Sequence, residues 1–203
     1  MDILLTLESF RPNIAFHNEK IITIGVMEIT NNKNRSTFIL TEWDSGGEKE
    51  LVSKFYEYLK ARINQISASN LKFFTGEKDA LERIFVYGFN ILRFDIPILI
   101  QKGVEYSIGN LPDLNLMWGG LIVTDYLQLM LPYNKMKYKG LTWNGFVEIL
   151  RRLGYKVPKI KTEGNEIKQL YLKGDYDSIV NRVDTKLKIL YVATSSKLFG
   201  KKI

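Results

Sequence analysis

The chain has 203 residues, of which 45% are hydrophobic and 25% charged, which excludes a disordered or collagen-like protein. It contains no cysteine and one histidine, so disulfides, cysteine-based zinc sites and histidine-rich metal sites are excluded as well. The net charge of +7 is uneven, since residues 1–100 hold 12 basic and 13 acidic side chains and residues 101–203 hold 17 and 9. A second half this basic predicts a polyanionic partner on one surface. We favour nucleic acid as that partner over the alternative of a protein that is basic without binding a polyanion.

The first half of the sequence predicts three strands and then a helix. Apolar and β-branched runs indicate strands over 3–8, 21–29 and 36–41, which we interpret as an antiparallel meander. The first strand is apolar on both faces and is therefore expected at the centre of the sheet. His17 is expected in a turn or at the edge of the core. Apolar residues at every fourth position from Leu51 to Ile63 predict a helix.

The second half alternates strands and helices. Strands are predicted over 83–89 and 121–125, and helices over 95–102, 141–153, 166–172 and 176–199. The stretches 103–120 and 131–140 are expected to be irregular. This order predicts one α/β domain over 1–203, in which helices flank a mixed five-stranded sheet.

Three acidic residues stand in apolar surroundings. Glu8 ends an apolar strand, Asp95 lies within Phe-Asp-Ile-Pro-Ile-Leu-Ile, and Asp184 lies near the apolar positions of the last helix. A buried carboxylate is costly unless it is paired or bound to a metal. Taken singly, each has an ordinary alternative: a loop residue for Glu8, a helix N-cap for Asp95 and a solvated helix face for Asp184.

The contexts of these residues resemble the motifs of the DEDD, or DnaQ-like, 3′–5′ exonuclease superfamily, in particular the exonuclease domains of family B DNA polymerases. Residues 88–99, Gly-Phe-Asn-Ile-Leu-Arg-Phe-Asp-Ile-Pro-Ile-Leu, match its second motif, an Asn followed by Phe-Asp and Pro. Residues 5–9, Leu-Thr-Leu-Glu-Ser, match its opening Asp-x-Glu strand at Glu8, and Asp184 matches the Asp of its third motif. The resemblance implies an RNase H-like fold and catalytic, metal-binding roles for Glu8, Asp95 and Asp184, with Mg²⁺ or Mn²⁺ as the cofactor.

Two positions depart from the family pattern. Thr6 stands where the first catalytic Asp is expected, and Val180 and Ile179 stand where a Tyr or His would orient the attacking water. Three carboxylates in place of four imply weak binding of one metal ion rather than two, because each divalent cation needs several oxygen ligands. The resemblance therefore implies a degenerate and impaired catalytic site.

Basic and aromatic residues of the second half indicate a nucleic-acid surface. Lys135, Lys137 and Lys139 are interleaved with Tyr133 and Tyr138, a mix that can neutralise phosphates and stack on bases. A solvated lysine loop with inward-facing tyrosines is the equally weighted alternative. The full set of predicted nucleic-acid-binding residues is Phe89, Asn90, Arg93, Lys135, Lys137, Tyr138, Lys139, Arg151 and Arg152.

The sequence leaves three functions open. The first is a binding protein for single-stranded or 3′-ended nucleic acid that cleaves it weakly or not at all. The second is a working metal-dependent 3′–5′ exonuclease acting on DNA or RNA, and the third is an accessory subunit that contacts a polymerase, helicase or other repair protein. No membrane segment or leader is recognisable, so a cytoplasmic protein is expected.

Overall fold

The structure is a computed structural model that describes residues 1–11, 19–30, 34–76 and 80–196. His17, which is expected in a turn or at the edge of the core, and the end of the last predicted helix lie outside these residues. Within the described part of the chain, no helix is long and apolar enough to cross a membrane.

Five strands form one mixed sheet, as predicted. They are β1 (Asp2–Phe10), β2 (Lys20–Ile29), β3 (Arg35–Thr41), β4 (Phe85–Gly88) and β5 (Ile122–Asp125), in the spatial order β3-β2-β1-β4-β5. The first three strands are antiparallel, whereas β4 runs parallel to β1 and β5 runs parallel to β4. The position of β1 at the centre confirms the expectation drawn from its two apolar faces.

Helices cover both faces of this sheet. In chain order they are α1 (Glu42–Ser45), α2 (Glu48–Phe74), α3 (Ile96–Glu105), α4 (Leu111–Gly119), α5 (Tyr126–Met130), α6 (Trp143–Arg152), α7 (Ile167–Lys173) and α8 (Tyr176–Ser195). A π-helical turn (Ile91–Asp95) precedes α3, and short 3₁₀ turns lie at Pro132–Asn134 and Gly164–Glu166.

Side-chain alternation along β1 separates the two halves of the core. Ile3, Leu5 and Leu7 belong to the core built with α2, α3 and α4, whereas Leu4 belongs to the core built with α5, α6 and α8. Because alternate residues of a strand point to opposite faces, Thr6 and Glu8 follow Leu4 towards the α8 side. The strand pattern thus places a buried carboxylate between the sheet and the last helix.

The expectation of an irregular stretch over 103–120 was wrong, because α4 occupies half of it. The Asn110 side chain caps this helix by accepting a hydrogen bond from the Asp113 backbone N–H at 2.8 Å. Pro112 lies in the first turn, where a missing N–H costs nothing. Pro and Gly residues at the ends of this segment favour a prediction of irregular structure. In the structure they lie at the first and last turns of α4.

Candidate functional site

A cavity of about 420 Å³ opens where the carboxyl ends of β1 and β4 diverge. The chain leaves β1 towards β2 on one side and β4 towards β5 on the other, so this is the switch point of the sheet, where open α/β sheets commonly bind ligands. The β1–β2 register shifts between Glu8 and Ser9, a bulge of the kind that redirects side chains beside functional sites. Residues of β1, the π-helical turn, the start of α6 and α8 line the cavity.

Glu8 is buried in this cavity and neutralised by two cations of α8. Its Oε1 atom accepts hydrogen bonds from Arg182 Nε at 2.8 Å and from Lys186 Nζ at 2.5 Å. The Arg182 and Lys186 side chains are only 6% and 5% exposed. Arg182 also donates to the Thr162 carbonyl, and Lys186 to the Leu7 carbonyl at 3.4 Å. Both cations therefore bind the same oxygen of the carboxylate.

Asp95 lines the same cavity, and no such partner is seen for it among the described residues. It occupies the N-cap position of α3 without a capping hydrogen bond, and it is 5% exposed. Burial raises the pKa of Asp95 to about 8, with Glu8 and Asp125 adding to the rise and Lys186 opposing it. The Lys186 ammonium shows the opposite response, since burial lowers its pKa although Glu8 and Asp95 favour the charged form. Near neutral pH, Asp95 is thus mainly a carboxylic acid that faces the cavity.

The turn that carries Asn90 and Asp95 is held in place by Asp125. Asn90 adopts a left-handed conformation (φ 63°), and its N–H donates to Asp125 Oδ1 at 2.8 Å. Asp125 also accepts from the N–H groups of Leu92 at 3.2 Å and Leu127 at 2.9 Å. This buried carboxylate fixes both the π-helical turn and the start of α5, so its role is to position the turn. π-helical turns of this type are frequent at functional sites.

Aromatic side chains form one wall. Phe89 is buried, with its ring centroid 5.0 Å from those of Trp143 and Phe146. Trp143 also lies 5.0 Å from Lys186 Nζ, an arrangement that stabilises the cation over the ring. Asn90, Phe94 and the buried Thr6 complete the lining near Asp95. The structure therefore brings together Thr6, Glu8, Phe89, Asn90 and Asp95, as the motifs suggested.

Asp184 and Val180 are not among the described residues that line this cavity. Asp184 is one-third exposed and pairs with Lys188 at 2.6 Å along the outside of α8. Each helical residue advances by 100°, so a shift of two positions turns a side chain by 200°. The i, i+4 pair that α8 directs into the cavity is Arg182 and Lys186, and the predicted grouping of Asp184 with Glu8 and Asp95 is not formed.

Sequence reasoning missed Arg182 and Lys186, although a signal existed. Ile179, Val183 and Leu190 form the buried stripe of α8, and positions 182 and 186 continue that stripe at helical spacing. Two cations within a buried stripe require an anionic partner, and Glu8 was the available one. The family motif instead predicts that position 184, which carries an Asp, is the one that faces the cavity.

The basic loop lies beside the cavity. Lys135, Lys137 and Lys139 are exposed, and the loop continues directly into Leu141–Asn144 at the cavity wall. Tyr138 is exposed and lies under the guanidinium of Arg93, at 4.6 Å from its ring centroid. Because Arg93 belongs to the π-helical turn, this contact joins the loop to the turn that carries Asp95. Asn134 braces the loop by donating to the Lys137 and Lys139 carbonyls.

Arg151 and Arg152 lie further away. They are exposed in the last turn of α6, about 12 Å along the helix from Trp143 at the cavity wall. Arg151 is engaged with Glu148 at 2.9 Å and with the Val157 carbonyl. These two residues therefore extend the basic surface without entering the cavity.

The residues in the cavity do not fit a divalent cation. Among the described residues, no group of three or more His, Cys, Asp or Glu side chains could hold a metal ion. The Oε1 atom of Glu8 is already bonded to Lys186 and Arg182, and the charges of these two side chains repel a cation near either oxygen. Asp95 is mainly protonated near neutral pH, which further weakens the donor set.

Comparisons with known proteins agree with the fold. A family B DNA polymerase from the hyperthermophilic archaeon Pyrobaculum calidifontis superposes with a TM-score of 0.57 and 11% sequence identity, over 97% of this chain and 24% of the polymerase chain. No family model and no curated protein matches. At this identity the similarity establishes the fold alone, an α/β architecture consistent with the RNase H-like fold. The chain spans about a quarter of the length of that polymerase.

Proposed function

We propose that this protein is a DEDD-type, exonuclease-like module that binds single-stranded or 3′-ended nucleic acid without hydrolysing it. The observation that carries the proposal is the cavity at the ends of β1 and β4, which keeps Glu8 and Asp95 but fills the space between them and α8 with Arg182 and Lys186. The similarity to a chain named as a DNA polymerase supports nucleic acid as the partner.

The groups needed for binding are arranged along one path. Lys135, Lys137 and Lys139 neutralise phosphates of the strand, and the paired Tyr138 and Arg93 offer flat surfaces on which bases stack. The strand end then reaches the cavity, where Asn90 and the Asp95 carboxyl group are available for hydrogen bonds to a terminal nucleotide. A volume of about 420 Å³ is within the range of small-ligand sites.

The absence of hydrolysis follows from the same groups. In the mechanism that the resemblance implies, a divalent cation activates the attacking water and a base takes its proton. On the part of α8 that lines the described cavity, the charged groups are Arg182 and Lys186. Both are already paired with Glu8. Thr6 is neutral, and neither Val180 nor Asp184 lines the cavity.

The experiment uses 5′-labelled single-stranded DNA, recessed-end duplex and RNA, each incubated with the protein in Mg²⁺, in Mn²⁺ and in EDTA. Fluorescence anisotropy and a denaturing gel are read from the same samples. We expect bound, full-length substrate in every condition. Asp95→Ala serves as the control for trace cleavage.

Shortening from the 3′ end that Asp95→Ala abolishes would overturn the proposal in favour of a working exonuclease. Absence of binding at low salt would overturn it in the other direction. The chain would then act through protein contacts, and pull-down with a polymerase or helicase would be the next step.

A further inference from the structure

We propose that Arg182 and Lys186 replace a divalent cation in this cavity, so that ligand binding is independent of metal and one residue on α8 decides whether the site accepts a metal ion. The inference rests on the exonuclease-like interpretation of Glu8 and Asp95 in the proposed function. It concerns an internal ion pair that stands where that class of site would hold a metal.

The contacts of Lys186 are those of a resident cation. Its ammonium lies 2.5 Å from Glu8 Oε1, within reach of the Leu7 carbonyl, and over the Trp143 ring. A divalent ion that used this Glu8 oxygen would have to displace the ammonium.

Arg182 makes the replacement stable. Its Nε donates to the same Glu8 oxygen and its Nη1 to the Thr162 carbonyl, so the guanidinium is held by β1 and by the segment that precedes Gly164. Arg182 and Lys186 are one helical turn apart and share one face of α8. Because two buried cations already face it, the Glu8 carboxylate needs no further positive charge.

The remaining acidic residues of the cavity wall already have partners. Glu19 accepts hydrogen bonds from Ser9 at 2.8 Å and Arg11 at 2.9 Å. Glu163 takes part in a capping box with Glu166 and accepts from Asn144 at 2.8 Å. Among the described carboxyl groups of the cavity wall, Glu8 and Glu19 are paired with cations and Glu163 is held by neutral donors, and no hydrogen bond is seen for Asp95.

Lys186→Asp tests the inference, because it removes the resident ammonium and puts a carboxylate on the face of α8 that lines the cavity. Mn²⁺ binding is measured by electron paramagnetic resonance, with the unfolding temperature followed in Mn²⁺ and in EDTA. We expect the variant to bind Mn²⁺ at least about tenfold more tightly than the wild type and to be stabilised by it. The wild-type unfolding temperature is expected to be equal in both buffers.

Lys188→Asp is the matched control, since it makes the same charge change on the exposed side of the same helix. It is expected to behave as the wild type does. Should Lys186→Asp not fold, Lys186→Asn supplies a neutral oxygen ligand at the same position, and it is expected to gain weaker but measurable Mn²⁺ binding.

Wild-type protein that binds Mn²⁺ tightly, with binding lost in Glu8→Gln, would overturn the inference. So would folded Lys186→Asp protein whose Mn²⁺ affinity matches that of Lys188→Asp. These measurements use no nucleic acid, so their outcome is separate from that of the proposed function. If nucleic acid does bind, its affinity is expected to be equal in Mg²⁺ and in EDTA at matched ionic strength.

Discussion

Glu8 is the residue on which the buried charges of the molecule depend. It is the common acceptor for Arg182 and Lys186, and all three side chains are at most 7% exposed. Removal of one member of a buried ion-pair network leaves the others charged in a medium that solvates them poorly. An exposed pair, such as Asp184 with Lys188, contributes little because water solvates both partners.

Glu8→Gln is therefore expected to lower the free energy of unfolding by about 3–5 kcal/mol. Asp184→Asn, an equivalent change at the exposed pair of α8, is expected to lower it by less than about 1 kcal/mol. Urea unfolding followed by circular dichroism measures both. Similar losses for the two variants would show that Arg182 and Lys186 do not depend on Glu8.

Asp95 gives the site a distinctive pH dependence. Its pKa is raised from 3.8 to about 8 in the folded protein, so the folded state holds a proton that the unfolded state has released. Between these two values the unfolded state binds fewer protons, and stability falls as the pH rises. Above pH 8 both states are ionised, and this contribution becomes constant.

Asp95→Asn removes the titrating group and is expected to be more stable than the wild type by roughly 1–3 kcal/mol at pH 9, with almost no difference near pH 4. Urea unfolding of both proteins at five pH values between 4 and 9 measures the difference. Asp184→Asn, at the exposed pair of α8, is the control. A constant offset between Asp95→Asn and the wild type over this range would contradict the role of burial.

At the scale of elements, the placement of α8 on the sheet determines the site. Gly25 on β2 pairs with Thr6 on β1, and it allows the helix to approach the strands closely. A Cβ atom at Gly25 would overlap the Val183 side chain and lie 3.2 Å from Leu187 Cδ1. Val183 and Leu187 directly follow Arg182 and Lys186 along α8. The distance between α8 and the sheet at Gly25 therefore also determines how close the two cations come to Glu8.

Gly25→Ala is expected to lower the free energy of unfolding by about 1–3 kcal/mol, because the added methyl group pushes α8 away from β2. Gly119→Ala is the matched control, since a Cβ there meets nothing within 4 Å, and it should change stability by less than about 1 kcal/mol. Thermal unfolding measures both. A neutral Gly25→Ala would mean that the helix shifts without cost.

The elements that carry local signals could be predicted from the sequence. The central strand and the start of α3 follow from short patterns, an apolar run and a Phe-Asp-Ile-Pro segment, which need no knowledge of distant residues. The helical phase of α8 could not be fixed in this way. It depends on which stripe packs on Gly25, and a two-residue difference exchanges Asp184 for Lys186 at the cavity. Charge at the site was thus predicted with the wrong sign on this helix.

At the scale of the whole molecule, exposed lysines lie beside both faces of the sheet. The lysine loop at 135–139 adjoins the core built with α5, α6 and α8, whereas α2 covers the other face with Lys49, Lys54 and Lys72 exposed. A strand that follows the loop to the cavity would touch only the first face. The proposed path therefore distinguishes lysines that bind phosphate from lysines that merely add to the net charge.

Lys135→Glu, Lys137→Glu and Lys139→Glu in combination should weaken single-strand binding strongly and reduce its salt dependence. Each lost phosphate contact changes the slope of log K against log salt by about 0.7, so three contacts amount to about 2. Anisotropy titrations at four salt concentrations give the slope. The combined Lys49→Glu, Lys54→Glu and Lys72→Glu variant has the same net charge and should keep the wild-type slope, because α2 lies on the opposite face. Equal slopes for the two triple variants would mean that binding responds to net charge alone and that the loop does not contact the strand.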